Sequence, residues 1–238
     1  MRSSKSPKPE LRPYESMDEF MDGRLKLIQS RKGYRFSIDA VLLSEFVSIK
    51  QGDILVDLGT GCGIIPLVIL LKRTIRYVYG LEIQPELADQ AVRNAQLNGF
   101  EKKMGVILGD IRYPPLMPSS ADVVICNPPY RQKESGRINP DPQRAIARHE
   151  IRASLDDVLG TARRLLKPKG HLAMIYPAVR LVEIMVRMRG FNLEPKRIRV
   201  IYPGLESEAK LVLIEAVVDG RGGVKLMKPL IDQGDFSP

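Results

Sequence analysis

The 238-residue chain is poor in cysteine and histidine, with only Cys62, Cys126, His149 and His171. Two cysteines cannot form a disulfide framework, and the absence of a Cys-x-x-Cys pair leaves no metal-site spacing. No apolar run approaches the roughly 18 residues that a membrane span requires; the longest candidate is Ile64 to Leu71. We therefore expect neither a metal nor a membrane span, and a reducing cytoplasm as the compartment.

Acidic residues are also fewer than basic residues. The chain has 28 Asp and Glu against 37 Lys and Arg, which gives a formal net charge of +9. A surplus of this size favours a polyanionic partner, most simply nucleic acid, although a basic protein without such a partner is the alternative. The basic N-terminus has no apolar segment after it, so it does not resemble a secretory signal.

The apolar pattern predicts one α/β domain in which strands and helices alternate. Such alternation is typical of a parallel sheet with right-handed crossovers. We expect a Rossmann-like sheet of seven strands, mostly parallel with an antiparallel C-terminal strand, and helices on both faces. The predicted strands are Ile54 to Asp57, Ile75 to Leu81, Met104 to Leu108, Ala121 to Cys126, His171 to Tyr176, Arg197 to Ile201 and Leu211 to Val218.

The expected organisation has three parts. Residues 1–15 are a disordered basic arm, residues 16–220 are the folded domain with an N-terminal helical extension, and residues 221–238 are a tail in which Val224 to Ile231 could add an edge strand. Helices are predicted over residues 38–49, 64–71, 85–97, 154–166 and 179–189.

Polar features follow three consecutive predicted strands. Asp57 ends the first strand and is followed by a glycine turn, Gly59-Thr60-Gly61-Cys62-Gly63; Glu82 follows the second strand and Asp110 the third. Ligands of an open parallel sheet bind beyond the carboxyl ends of its strands. Glycines there allow close approach of the backbone, Glu82 suits ribose hydroxyls and Asp110 suits the amino group of an adenine. In this order the three features predict an adenosine-containing cofactor.

The spacing of the glycine turn distinguishes two such cofactors. Dinucleotide sites carry G-x-G-x-x-G, whereas this chain has Gly59-x-Gly61-x-Gly63 with Ile64 in place of the last glycine. The carboxylate of Asp57 beside the turn suits the cationic amino group of a methionine moiety and would repel a pyrophosphate. The turn therefore favours S-adenosylmethionine.

The tetrapeptide Asn127-Pro128-Pro129-Tyr130 follows the fourth predicted strand. Its prolines fix φ and remove backbone donors, so the strand must end there. Asn127 Oδ1 and the Pro128 carbonyl can accept both hydrogens of a planar amino group, and Tyr130 offers a face on which a base can stack. A simple strand-ending turn is the alternative interpretation. Combined with the cofactor motif, the tetrapeptide predicts Asn127, Pro128 and Tyr130 as catalytic residues.

The two motifs together resemble those of class I S-adenosylmethionine-dependent amino-methyltransferases, and residues 35–218 can be laid on that pattern. Two further segments, Arg35 to Leu43 and Ala147 to Glu150, are similar to those of the bacterial tRNA(Val) adenine-N6 methyltransferase group. This resemblance implies methylation of an adenine beside the anticodon of a tRNA.

The resemblance also implies cofactor contacts at Phe36, Ser37 and Asp39. From the residues alone, the alternatives are that Phe36 is a core residue and Ser37 a helix cap, and they fit as well as cofactor contacts. The full set of expected cofactor-binding residues is Phe36, Ser37, Asp39, Asp57, Gly59, Gly61, Gly63, Glu82, Asp110 and Asn127. The candidate phosphate contacts are Arg131, Lys133, Arg137, Arg144 and Arg148, with a second cluster at Arg187, Arg189, Lys196, Arg197 and Arg199.

Other planar amines fit the same acceptors. They include a glutamine amide of a peptide-release factor, guanine N2 of ribosomal RNA and adenine N6 of DNA. An RNA-binding protein with a vestigial cofactor fold is the alternative outside enzymes. The basic charge and the Arg35 to Leu43 segment favour an RNA adenine.

Overall fold

A computed structural model of the chain describes residues 9–32, 35–128 and 153–231. The strands in these ranges are β1 Glu15–Phe20, β2 Leu25–Ser30, β3 Ile54–Leu58, β4 Tyr77–Glu82, β5 Met104–Leu108, β6 Ala121–Cys126, β7 Leu166–Pro177, β8 Leu193–Tyr202, β9 Leu211–Val218, β10 Lys225–Leu226 and β11 Leu230–Ile231. The helices are α1 Ile38–Phe46, α2 Ile64–Lys72, α3 Pro85–Leu97, α4 Leu155–Leu165 and α5 Leu181–Gly190, with a 3₁₀ turn over Ala178–Arg180.

One large sheet carries the fold, with the strand order β10-β8-β9-β7-β6-β3-β4-β5 and β11 paired to β8. Strand β9 runs antiparallel to β7 and β8, and the other pairs are parallel. The predicted seven-stranded sheet with one antiparallel C-terminal strand is confirmed, and β10 and β11 extend its edge. Within this sheet, β3 is the first strand in the chain and lies at the centre. The next strands, β4 and β5, lie on one side of it, and β6 lies on the other side. The strand order therefore reverses between β3 and β6, where sheets of this kind bind ligands.

Helices cover both faces of this sheet, as predicted. Along β3, Leu55 packs with residues of α1, α2 and α3, whereas Val56 and Leu58 pack with residues of α4 and α5. Successive side chains of a strand point to opposite faces, so one central strand supplies both apolar layers. Within the described ranges, no helix is long and apolar enough to cross a membrane.

Helix boundaries follow local signals where those signals exist. Helix α3 begins at Pro85 and ends before Asn98, as predicted, because proline suits the first helical position. Helix α1 ends at Phe46, three residues earlier than the predicted Ile49. The backbone N–H of Ser48 donates to Glu215 Oε2 at 2.7 Å, and this long-range bond takes the chain out of the helix.

An antiparallel hairpin of β1 and β2 precedes α1 and was not predicted. Glu15, which was expected in the disordered arm of residues 1–15, lies in β1 and is 1% exposed. Burial alone would raise the pKa of Glu15, but hydrogen bonds from the Arg93 guanidinium and the Arg12 backbone N–H lower it to about 2. The domain therefore begins before residue 16, and residues 1–8 lie outside the described ranges.

The C-terminal segment also joins the sheet. The edge strand expected over 224–231 forms as β10 and β11, both parallel to β8. Lys196 Nζ donates to the carbonyls of Arg221 at 2.9 Å and Gly223 at 2.7 Å, which fixes the start of this segment. Residues 221–231 are thus an extension of the sheet rather than a separate tail.

Candidate active site

The candidate site lies at the carboxyl ends of neighbouring strands. Leu58 at the end of β3 is in register with Leu81 of β4 on one side and with Cys126 of β6 on the other. The residues that follow these three are Gly59, Glu82 and Asn127. The structure therefore brings the glycine turn together with two of the predicted side-chain positions at one edge of the sheet.

The glycine turn wraps over the end of β4. The backbone N–H groups of Gly59 and Thr60 donate to the carbonyl of Leu81 at 2.8 and 3.0 Å. Gly63 has φ +88°, and a Cβ there would lie 3.2 Å from the Cβ of Ala91 in α3. Any side chain at Gly63 would thus be both strained and crowded, which explains the glycine.

Asp57 is fully buried next to this turn, and neither of its carboxylate oxygens has a hydrogen-bond partner among the described residues. Burial chiefly, together with the charge of Glu82, raises the pKa of Asp57 to about 7, and the Thr60 hydroxyl opposes that rise. The Thr60 hydroxyl oxygen is itself buried and has no hydrogen-bond partner among the described residues. Buried polar atoms are normally satisfied, so the free acceptors of Asp57 fit a ligand that brings donors, such as an ammonium group.

Glu82 is 4% exposed and already holds the glycine turn. Its Oε2 accepts from Gly61 N at 2.8 Å and its Oε1 from Gln84 N at 2.9 Å. Burial raises the pKa of Glu82, and the two N–H groups oppose that rise. A carboxylate has about four lone-pair sites, so each oxygen retains capacity for a ribose hydroxyl.

Asp110 follows β5, at the outer end of the same edge. Its carboxylate accepts from Arg112 Nε at 2.9 and 3.0 Å and from the Arg112 backbone N–H at 2.9 Å. The Arg112 guanidinium lowers the pKa of Asp110, which stays a charged acceptor. An adenine amino group would have to share this carboxylate with Arg112.

Asn127 and Pro128 leave β6 half-buried. Asp57 is in register with Ile125 in β6, two residues before Asn127. Burial chiefly, together with the charge of Asp57, raises the pKa of the Cys126 thiol. Pro129 and Tyr130 lie outside the described residues, as do the basic residues predicted over 131–148 and the Ala147 to Glu150 segment.

The Phe36 to Asp39 segment leads into α1. The Phe36 ring packs edge-to-face on Phe20 with centroids 5.3 Å apart, so the interpretation of Phe36 as a core residue has direct support. Ser37 occupies the N-cap position, but its side chain makes no capping hydrogen bond, and Asp39 lies in the first turn. Cofactor contacts at these residues stay a prediction.

Arg35 precedes this segment and pairs with Asp18 of β1 at 2.7 Å. Burial raises the pKa of the Cys62 thiol in the glycine turn to about 12, and the charge of Arg35 is among the influences that lower it.

Two residues of the site were not found from the sequence. Thr60 appeared only as a spacer within the glycine turn, yet its hydroxyl is buried and has no hydrogen-bond partner in the described part of the chain. Asn94 of α3 is fully buried and donates to the Cys62 carbonyl at 2.9 Å. The sequence does contain a signal for Asn94, because this residue lies with Ala91 and Ala95 on the apolar face of the helix predicted over residues 85–97.

Four of the five residues in the second basic cluster form hydrogen bonds or ion pairs within the molecule. Arg197 donates to Glu215 at 3.1 Å and lies over the Phe46 ring at 4.8 Å, so a phosphate would have to share its guanidinium with these partners. Arg187 pairs with Asp156 at 3.3 Å and Arg189 with Glu194 at 2.9 Å, both at the surface. Exposed pairs of this kind are weak and can exchange partners.

Comparisons with known proteins agree on the class of fold and chemistry. A family model described as a methyltransferase domain matches residues 49–199. A tRNA1(Val) (adenine(37)-N6)-methyltransferase of Porphyromonas gingivalis is 31% identical over 208 residues, covering 83% of this chain and 80% of that protein. A protein of the same name from Parabacteroides distasonis is 30% identical and covers 74% of each chain.

Solved structures share the fold at lower identity. A predicted O-methyltransferase from Agrobacterium tumefaciens superposes with a TM-score of 0.65 at 21% identity, covering 81% of this chain and 86% of that chain. Geranyl diphosphate C-methyltransferase from Streptomyces coelicolor, solved with S-adenosyl-L-homocysteine, gives a TM-score of 0.56 at 16% identity and covers 75% of this chain and 79% of that chain.

Proposed function

Because this chain belongs to the family of S-adenosylmethionine-dependent methyltransferases, we propose that it methylates the exocyclic N6 amine of an adenine in tRNA. The names of its bacterial relatives support this substrate. The net charge of +9 supports a polyanionic partner. A tRNA substrate would place the enzyme in the cytoplasm.

The observation that carries the proposal is the register of Leu58 with Cys126. It sets the glycine turn and Asn127 side by side, at the point where the strand order reverses. A donor bound over the turn and an amine bound at Asn127 would therefore be neighbours. Such pre-positioning can contribute about 7–11 kcal/mol to a bimolecular reaction.

We assign the cofactor to the residues at this edge. Asp57 would receive the ammonium group of the methionine moiety, Glu82 the ribose hydroxyls and Asp110 the adenine amino group. The glycine turn would let the backbone approach the ligand closely. The remaining assigned contacts are Phe36, Ser37, Asp39 and Asn127.

When bound, the cofactor supplies a methyl group activated by a sulfonium, so the protein needs no nucleophile of its own. The difficulty is that the lone pair of an aromatic amine is delocalised into its ring. Acceptors at Asn127 Oδ1 and the Pro128 carbonyl would favour the pyramidal, increasingly positive nitrogen of the transition state over the flat amine of the ground state. This electrostatic stabilisation is worth about 3–4 kcal/mol for each acceptor. Stacking of the base on Tyr130 would add about 1–3 kcal/mol.

The test is to incubate the full chain with a radiolabelled methyl donor and, separately, with total tRNA, ribosomal RNA, DNA and protein extract. We expect label in tRNA, recovered as N6-methyladenosine after nuclease digestion. Label in protein as methylglutamine, in ribosomal RNA as N2-methylguanine or in DNA would contradict the proposal in favour of the corresponding alternative.

A further inference from the structure

Asn94 joins two parts of the molecule that are far apart in sequence. Its carboxamide is fully buried, accepts from Ile28 N at 2.7 Å and donates to the Ile28 carbonyl at 3.0 Å. The same amide nitrogen donates to the Cys62 carbonyl at 2.9 Å. One side chain thus binds both the outer edge of β2 and the glycine turn.

The bond to Cys62 fixes a peptide unit in the middle of that turn. The carbonyl of Cys62 is bound by Asn94, and the N–H of the same peptide, on Gly63, donates to the Thr60 carbonyl at 2.9 Å. Glu82 holds the turn from the other side through Gly61 N at 2.8 Å. With Asn94 removed, the Cys62 carbonyl would lose this buried donor.

The bonds to Ile28 lead to the segment before α1. Gln29, the next residue, is 2% exposed, and its Oε1 accepts from Phe36 N at 3.2 Å. A displacement of β2 would therefore displace the backbone at Phe36. Through Asn94, the glycine turn and the Phe36 to Asp39 segment are held in a fixed relation.

We infer that Asn94 is a positioning residue for cofactor binding, which links the two halves of the cofactor site without touching the cofactor. The inference rests on the assignment of the glycine turn and the Phe36 to Asp39 segment to that site. Because Asn94 acts on the bound geometry of the donor, its loss should raise the KM for S-adenosylmethionine more than it lowers kcat at saturating donor.

Asn98, the C-cap residue of α3, lies four residues after Asn94 and provides a matched control. Its carboxamide makes the same pair of bonds to β2, accepting from Lys26 N at 2.9 Å and donating to the Lys26 carbonyl at 2.7 Å. Its third bond goes to the Asn94 carbonyl at 2.8 Å, within the helix, rather than to the glycine turn. The two asparagines therefore share their contact with the hairpin and differ in their contact with the turn.

The experiment compares Asn94→Ala with Asn98→Ala by calorimetric titration with S-adenosylhomocysteine and by thermal unfolding of the free proteins. Both variants should lose several degrees in melting temperature. Asn94→Ala should weaken binding about tenfold or more, whereas Asn98→Ala should stay within about twofold of the wild type, because one buried hydrogen bond to the turn accounts for the difference. If Asn94→Ala does not fold, Asn94→Ser and Asn98→Ser form the same comparison with a smaller perturbation.

Equal affinities for the two variants, whether both weakened or both unchanged, would overturn the inference and leave the proposed function intact. A wild-type protein that binds no S-adenosylhomocysteine would contradict the cofactor assignment itself, and with it this inference. The wild-type titration therefore separates the two failures.

Discussion

Leu58 and Cys126 lie directly opposite each other in the parallel strands β3 and β6. Each is the last residue of its strand, so the glycine turn and Asn127 leave the sheet at the same level. This one pairing joins the part of the chain that suits a methyl donor to the part that suits its acceptor.

Replacing Asn127 should affect catalysis much more than cofactor binding, because Asn127 is only one of the assigned cofactor contacts. We expect Asn127→Ala to lower turnover by about two orders of magnitude or more, because it removes an acceptor that acts mainly on the charge developing in the transition state. Asn127→Asp, which retains an oxygen acceptor, should lose less. Single-turnover rates with tRNA, alongside titration with S-adenosylhomocysteine, give both quantities; wild-type turnover in Asn127→Ala would remove the proposed role.

Cofactor binding should release a proton near neutral pH. The pKa of Asp57 is raised to about 7 in the free protein, and a cationic ligand favours the ionised carboxylate. Affinity should therefore increase from pH 6 to pH 8. Calorimetry in buffers of different ionisation enthalpy measures the proton release directly. Asp57→Asn should abolish the release and weaken binding, and an unchanged pH profile in that variant would refute the role of Asp57.

The same carboxyl should make the free protein less stable as pH rises. Its folded pKa of about 7 exceeds its ordinary value of 3.8, so the folded state binds more protons between these values and loses stability with increasing pH across that window. Asp57→Asn should remove this loss and raise the melting temperature at pH 8. Thermal unfolding between pH 4 and pH 8 is the measurement, and a lower melting temperature of Asp57→Asn at pH 8 would contradict it.

Glu15 should have the opposite dependence. Its folded pKa of about 2 lies below its ordinary value of 4.5, so its contribution is present above pH 4.5 and is lost as pH falls toward 2. Glu15→Gln should weaken the hairpin contact with Arg93 at neutral pH and flatten the acid limb of the stability curve. Urea unfolding at pH 7 and pH 3 tests this, with the wild type expected to lose more stability between them than the variant.

RNA binding should depend strongly on salt. A protein that neutralises several phosphates releases their counterions, so the logarithm of affinity falls linearly with the logarithm of salt concentration. The affinity for S-adenosylhomocysteine, a small ligand, should change little over the same range. Filter binding of tRNA at increasing potassium chloride gives the slope, and a flat response would count against an RNA partner.

Several elements could be predicted from the sequence because their signals are local. The apolar run Ala121–Cys126 ends at two prolines, and α3 begins at a proline and ends before Asn98-Gly99. The placement of Gly59, Glu82 and Asn127 at one edge of the sheet also followed, since parallel strands of alternating units have their carboxyl ends together.

Other elements depend on contacts that the sequence does not display. The hairpin of β1 and β2 is anchored to α3 by Glu15 with Arg93, 78 residues apart, and by Asn94 with Ile28, 66 residues apart. Arg197 lies in a basic run and suggested phosphate binding, yet its partner Glu215 is supplied by the neighbouring strand β9. Such pairings become visible only once the sheet order is known.

The central claim is best tested with a bisubstrate analogue in which the N6 atom of adenosine is joined through a short linker to the sulfur position of the cofactor. Its affinity for the wild type, Asp57→Asn and Asn127→Ala would be measured by calorimetry beside that of S-adenosylhomocysteine. We predict that both substitutions weaken the analogue, whereas Asp57→Asn weakens S-adenosylhomocysteine far more than Asn127→Ala does. An analogue whose binding is unaffected by Asn127→Ala would show that donor and acceptor do not meet at this residue.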